Sequence, residues 1–141
     1  MFSGVIIRRF FLFPYATMGA QKIQEVEMEG KNCFFDVENR DGEMRVTLRG
    51  EMDHHNAVAL RGEIDTLIYT ERPKRVIIVL SEIGFMDSSG LGFIMGRYAL
   101  LQKLGGDLLL ENPNERVSKI FELAGLGRII KIKKDEEERI K

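Results

Sequence analysis

Arg75-Val76-Ile77-Ile78-Val79-Leu80, followed shortly by Gly84-Phe85-Met86-Asp87-Ser88-Ser89-Gly90-Leu91-Gly92, decides the architecture of this chain. Val76 to Leu80 are all apolar and mostly β-branched, which suits a strand buried on both faces of a sheet. After a turn, Asp87 and Ser88 are residues that cap a helix, because their side-chain oxygens accept its first unpaired N–H groups. The expected helix runs from about Ser88 to Leu104 and is closed by Gly105-Gly106. Beyond it, Asp107 to Leu110 reads as another buried strand. Asn112-Pro113-Asn114 opens a third helix with Val117, Ile120, Phe121 and Ala124 on one face, and Gly125 and Gly127 end it. Arg128 to Lys133 is a last short strand, and the charged remainder to Lys141 is expected to be a solvated tail or short helix.

The same alternation extends upstream. Pro73 ends a helix that Asp53 caps and that carries Ala57, Leu60, Ile64, Leu67 and Ile68 at helical spacing to about Tyr69. Before it, Phe34 to Glu38 and Met44 to Arg49 flank Asn39-Arg40-Asp41-Gly42, and Asp-Gly between two such runs signals a hairpin. Strands alternating with helices imply crossover connections and parallel pairing. The expected fold is therefore a single α/β domain. Its sheet is mixed and largely parallel, of four to five strands, with an opening antiparallel hairpin and three or more packed helices. Functional groups in such sheets gather beyond the carboxyl ends of the strands. Two segments qualify as neighbours there, Gly50 to Asp53 and Ser81 to Ser89.

Composition narrows the function. The 141 residues suit one domain, and 44% hydrophobic with 30% charged residues is globular composition. Twenty-one basic against 22 acidic residues leave a formal charge of −1, which disfavours direct nucleic-acid binding. A lone cysteine, Cys33, excludes an intramolecular disulfide and suits a reduced, cytoplasmic setting. Residues 1–33 read differently from the rest. Arg8 and Arg9 interrupt their apolar run and Pro14 cuts it again, so it is too short for a membrane span or a secretion signal. With Met18 and Met28 as alternative starts, this segment is expected to be a poorly ordered tail or an over-called beginning, and residues 34–141 the domain proper.

The segment around Ser88 carries the chemistry. Gly90 and Gly92 fall in the first turns of a helix, where each glycine costs about 1 kcal/mol relative to alanine. Close packing on the sheet would offset that cost, and so would access for another molecule. The functional alternative is a serine hydroxyl standing at the positive end of a helix dipole. A hydrolase elbow would read Gly-x-Ser-x-Gly, yet Met86 and Leu91 occupy outer positions around the two serines, and His54 and His55 precede them in the chain. A phosphate-cradling loop would need a lysine after the glycines, and none follows. These points weaken both readings without closing them. A third chemistry, a serine that receives a phosphoryl group from another enzyme, demands only an accessible hydroxyl, and these residues alone do not choose between Ser88 and Ser89. Adjacent histidines point about 100° apart on a helix, so His54 and His55 do not share a metal, and neither metal nor cofactor is expected. The second helix carries two apolar stripes, Leu91, Ile94, Met95, Tyr98 and Leu101, and Phe93, Gly96 and Leu100. Either it is wedged between sheet and helix, or one stripe is a partner-binding face.

Gly50-Glu51-Met52-Asp53-His54-His55-Asn56-Ala57, joined to Phe85-Met86-Asp87-Ser88-Ser89-Gly90-Leu91-Gly92 and Gly96-Arg97-Tyr98, resembles the STAS-domain anti-sigma factor antagonists over roughly Phe34 to Lys133. The resemblance implies a non-enzymatic module that binds an anti-sigma factor, itself a serine kinase, and so releases a sigma factor. It further implies phosphorylation by that kinase on the serine after the motif aspartate, Ser88, and restoration by a serine phosphatase. Asp53, Asp87, Ser89, Gly90, Leu91 and Gly92 then form the switch region. The Asp-His-His segment is most similar to the sporulation type. A STAS domain of another signalling pathway, or a small-molecule or nucleotide binder using the helix start near Ser88, are the competing readings.

Overall fold

The computed structural model describes residues 5–11, 22–28 and 33–135. Within residues 33–135 the chain alternates as β3 (Cys33–Arg40), β4 (Glu43–Met52), α1 (His54–Glu71), β5 (Arg75–Met86), α2 (Ser88–Leu104), β6 (Asp107–Glu111), α3 (Glu115–Ala124) and β7 (Lys131–Lys133). Two further strands precede them, β1 (Val5–Phe11) and β2 (Lys22–Met28). Strand order in the sheet is strand order in the chain. Pairing is antiparallel from β1 to β4 and parallel from β4 to β7.

The hairpin forms where Asp41-Gly42 places it. Asp41 has φ 52° and Gly42 φ 82°, and two successive left-handed residues make the turn whose twist matches the flanking strands. From β4 onward each strand is joined to its neighbour through one helix, as the alternation predicts. All three helices pack into one core with one face of the sheet. Met44, Val46 and Leu48 of β4, Val76, Ile78 and Leu80 of β5, and Leu108 and Leu110 of β6 meet Leu60, Ile64, Ile68, Ile94, Leu101, Val117 and Phe121 from the helices. The alternate residues of the strands face the other way. There Arg45 reaches across β5 to Glu111 at 2.9 Å, in a register that sets Arg45 beside Ile77 and Glu111 beside Val79. Ile77 is only 5% exposed although it lies outside the main core, consistent with the arginine stem screening it.

Two expectations need correction. The central strand does not stop at Leu80: β5 runs on to Met86, pairing Glu82 with Arg49, Ile83 with Gly50 and Phe85 with Glu51. Two register shifts accompany the extension, and both put the extra residue in β5: Leu80-Ser81 stand opposite Leu48, and Gly84 has no counterpart between Gly50 and Glu51. The last strand contracts to Lys131–Lys133, because Gly125 enters the left-handed region at φ 69° and Leu126–Arg128 closes a 3-10 turn. Residues 5–11 and 22–28, which lie in the segment the sequence sets apart from the domain proper, form strands β1 and β2. β2 pairs its backbone with β3, whose outer edge would otherwise leave unpaired N–H and C=O groups. The expected C-terminal tail beyond Asp135 lies outside the described residues.

Candidate functional site

The site is built where β4 and β5 end side by side. Met52 pairs with Met86, and the Asp87 N–H donates to the Met52 carbonyl at 3.4 Å. Each strand then turns into a helix through an aspartate cap. Asp53 Oδ1 accepts from the Asn56 N–H at 2.9 Å, and Asp87 Oδ1 accepts from the Ser89 N–H at 2.9 Å. Two helix starts are thereby fixed next to each other, with the positive ends of their dipoles on one rim.

On that rim the two serines differ. Ser88 is exposed. Ser89 is half-buried, and its Oγ lies 3.4 Å from His54 Nδ1, the first residue of α1. Ser88 is thus the more exposed of the two hydroxyls, a difference the residue pattern alone left open. His54 and His55 are both exposed.

The glycines of the motif also divide. A Cβ on Gly90 would overlap Met86 Cγ and sit 2.9 Å from Met52 Cγ, so Gly90 is there for close packing of α2 on the paired strand ends. A Cβ on Gly92 would meet nothing within 4 Å, so Gly92 opens surface. Close packing offsets the helical cost at Gly90, and no packing contact does so at Gly92.

From this rim α2 presents an uncharged face. Ser88, Gly92 and Ala99 are exposed, with Leu91, Met95 and Gly96 half-buried beside them. The only charged residue between Ser88 and Gln102 is Arg97, and it is 5% exposed. Phe85, at the end of β5, is 42% exposed. Phe93, Ile94 and Leu101 take the buried side. The wedged-helix reading accounts for these three, and the open side remains as an apolar surface that starts at Ser88.

Two residues that support the site entered the sequence reading only within the stretches that carry the resemblance, with no role assigned. Asn56, 1% exposed, donates from Nδ2 to the Glu51 carbonyl at 2.8 Å and ties the first turn of α1 to the end of β4. Arg97 bridges α2 to α1: its Nε lies 2.8 Å from Asp65 Oδ1, and its Nη1 donates to the Phe93 carbonyl at 3.1 Å. Its guanidinium also stands 5.0 Å from the Phe93 ring centroid. Burial lowers the Arg97 pKa, and the Asp65 carboxylate opposes that shift. A lone arginine in an otherwise uncharged stretch was the available signal, since an unpaired buried charge is too costly to keep. Beneath the rim, the buried Cys33 thiol is pushed up to about 12 by desolvation and then by the charges of Asp53 and Glu51.

Comparison with known proteins places this geometry. The STAS domain family matches residues 34–139. The chain is 34% identical over 105 residues to an anti-sigma F factor antagonist of Paenibacillus polymyxa, covering 74% of this chain and 90% of that protein. It is 35% identical over 106 residues to an anti-sigma-B factor antagonist of Bacillus subtilis (strain 168), covering 75% and 95%. Among solved structures, the anti-sigma factor antagonist SpoIIAA in its unphosphorylated form matches with a TM-score of 0.63 and 33% identity, over 74% of this chain and 91% of that one. The Bacillus cell fate determinant SpoIIAA in its phosphorylated form matches with a TM-score of 0.58 and 32% identity, over 76% and 99%. This chain belongs to the STAS domain family, with its defining body in residues 34–139. Strands β1 and β2 lie outside that match.

Proposed function

We propose that this protein is an anti-sigma factor antagonist whose binding to its partner is controlled by phosphorylation of Ser88. The carrying observation is the exposed Ser88 at the start of an uncharged helix face, in a chain 34% identical to an anti-sigma F factor antagonist. SpoIIAA, similar to this chain in both forms, is known phosphorylated and unphosphorylated, which supports a phosphorylation switch. The partner in this reading is an anti-sigma factor that is also a serine kinase, and a serine phosphatase reverses the modification. Ser88, Leu91, Gly92 and Met95, with Phe85 beside them, form the docking surface; Asp53, Asp87, Ser89 and Gly90 shape the switch. The chain acts by binding and not as an enzyme.

The switch works electrostatically. A phosphoryl group adds about −1.5 to −2 charges at neutral pH. The start of α2 tolerates that anion, with about 0.3–1 kcal/mol of favourable dipole interaction, so the domain keeps its fold. A partner packed on the rim must instead desolvate the dianion beside Asp53 and Asp87. A loss of about 2.7 kcal/mol, roughly a hundredfold in affinity, follows from that cost.

The deciding experiment incubates the protein with ATP and its anti-sigma kinase, then reads intact mass and the modified peptide. Phosphate on Ser88, retained in Ser89→Ala and lost in Ser88→Ala, is the expected result; modification of Ser89 instead overturns the assignment. Ser88→Asp is expected to bind the partner at least about tenfold more weakly with an unchanged melting curve.

A further inference from the structure

His54 is the first residue of α1, where a cation is opposed by the helix dipole. The rim around it is otherwise acidic. Glu51 and Asp53 precede it on the same chain segment, and Asp87 caps the neighbouring helix. Of these rim residues, only His54 and its neighbour His55 are able to carry positive charge. The two histidines are not equivalent, because His54 alone reaches across to α2, its Nδ1 lying 3.4 Å from Ser89 Oγ. The next residue back along the chain is the exposed Ser88, with its Cα about 3.8 Å from that of Ser89. A phosphoryl group on Ser88 extends several bond lengths from the backbone and carries three acceptor oxygens. The contact with Ser89 thus sets the imidazole one residue along the chain from the hydroxyl on which a dianion would appear.

We propose that His54 is the hydrogen-bonding counter-ion of a phosphoryl group on Ser88, and that its contact with Ser89 keeps the imidazole within reach. This inference rests on the reading of Ser88 as the modified serine. It gives the Asp-His-His segment a function in the modified form: Asp53 caps α1, and His54 offsets part of the charge that the acidic rim repels. Cys33 supplies no competing charge from below, since its thiol stays protonated across the neutral range. The modified rim is accordingly pH-dependent. As pH falls through the phosphate's second ionisation, imidazolium and phosphate dianion stabilise each other, so the dianion persists to lower pH than it would alone.

The test uses the full chain with phosphoserine placed at position 88 during translation, so no kinase is involved. Its phosphorus NMR signal is titrated from pH 4 to pH 9 in the parent, in His54→Gln and in His55→Gln. The expected result is a parent midpoint about half a pH unit or more below that of His54→Gln, with His55→Gln titrating like the parent. Equal midpoints in parent and His54→Gln overturn the proposal, as does an effect confined to His55→Gln. Both histidines are exposed, and circular dichroism of each variant confirms that the fold is kept. Because the phosphate is installed during translation, failure here leaves the choice of Ser88 by a kinase to be decided by the mass mapping above.

Discussion

At the scale of single residues, two glycines two positions apart make opposite predictions. Gly90→Ala forces a methyl into Met86 and Met52, and overpacking of that kind costs about 1–3 kcal/mol. Gly92→Ala adds a methyl into open space and exchanges a poor helix former for the best one, so it is expected to stabilise by up to about 1 kcal/mol. Urea unfolding of the two variants checks both signs. If the proposed docking surface is right, Gly92→Ala also weakens partner binding while raising stability, a combination that packing alone does not produce. Sequence alone placed both glycines in a costly position but could not separate them, because what Gly90 touches comes from the pairing of β4 with β5. Ser88 and Ser89 were indistinguishable for the same reason: His54 lies 35 residues before Ser89 and meets it only in the fold.

Cys33 makes a pH prediction of known sign. Its folded value of about 12 stands above the reference value of 9.0, so its contribution to stability is complete below pH 9. That contribution is lost progressively as pH rises from 9 towards 12, where the unfolded thiol ionises first. The alkaline decline in unfolding free energy is expected to be shallower in Cys33→Ala than in the parent. Thiol alkylation at pH 8 should likewise proceed only as fast as the protein opens.

At the scale of elements, the pairing of α1 with α2 depends on a buried charge. Asp65→Asn leaves the Arg97 guanidinium without its counter-ion, and a cost of about 1–3 kcal/mol is expected, reduced from fully buried cases because Asp65 is partly exposed. Arg97→Met removes charge and desolvation together and should cost less than Asp65→Asn. Denaturant unfolding of both variants tests that order, and the reverse order would show that the stacking of Arg97 on Phe93 matters more. Elements with local signals were the legible ones. The Asp41-Gly42 turn, the Asp53 and Asn114 caps and the Gly105 and Gly125 ends are all written in a few adjacent residues. The extension of β5 through Ser81-Glu82-Ile83-Gly84-Phe85-Met86 was not, since its polar and glycine residues look like a turn until β4 is alongside to pair with them.

For the whole molecule, the five-strand body of residues 33–135 follows from the alternation of strand and helix, because each crossover has one favoured hand. The strands at 5–11 and 22–28 were illegible for a different reason: their pairing depends on an edge that β3 offers, and nothing within their own residues announces it. All three helices lie on one side, so the proposed docking face of α2 and the Arg45–Glu111 pair are on opposite sides of the sheet. Arg45→Ala is therefore expected to lower the melting temperature by a few degrees while leaving partner affinity within about twofold of the parent. Calorimetry and a binding isotherm decide it.

Sheet neighbours here are also chain neighbours, from the first strand to the seventh. Each strand finds its partner already made, one hairpin or one helix back, and no gap has to be held open for a later arrival. Loop closures stay short, which favours rapid assembly. During synthesis, the hairpin can zip and successive layers can accrete in the order in which the ribosome delivers them. The growing edge is always the newest strand, and the last one among the described residues is brief and bears a lysine at each end, which makes it a poor template for a stranger.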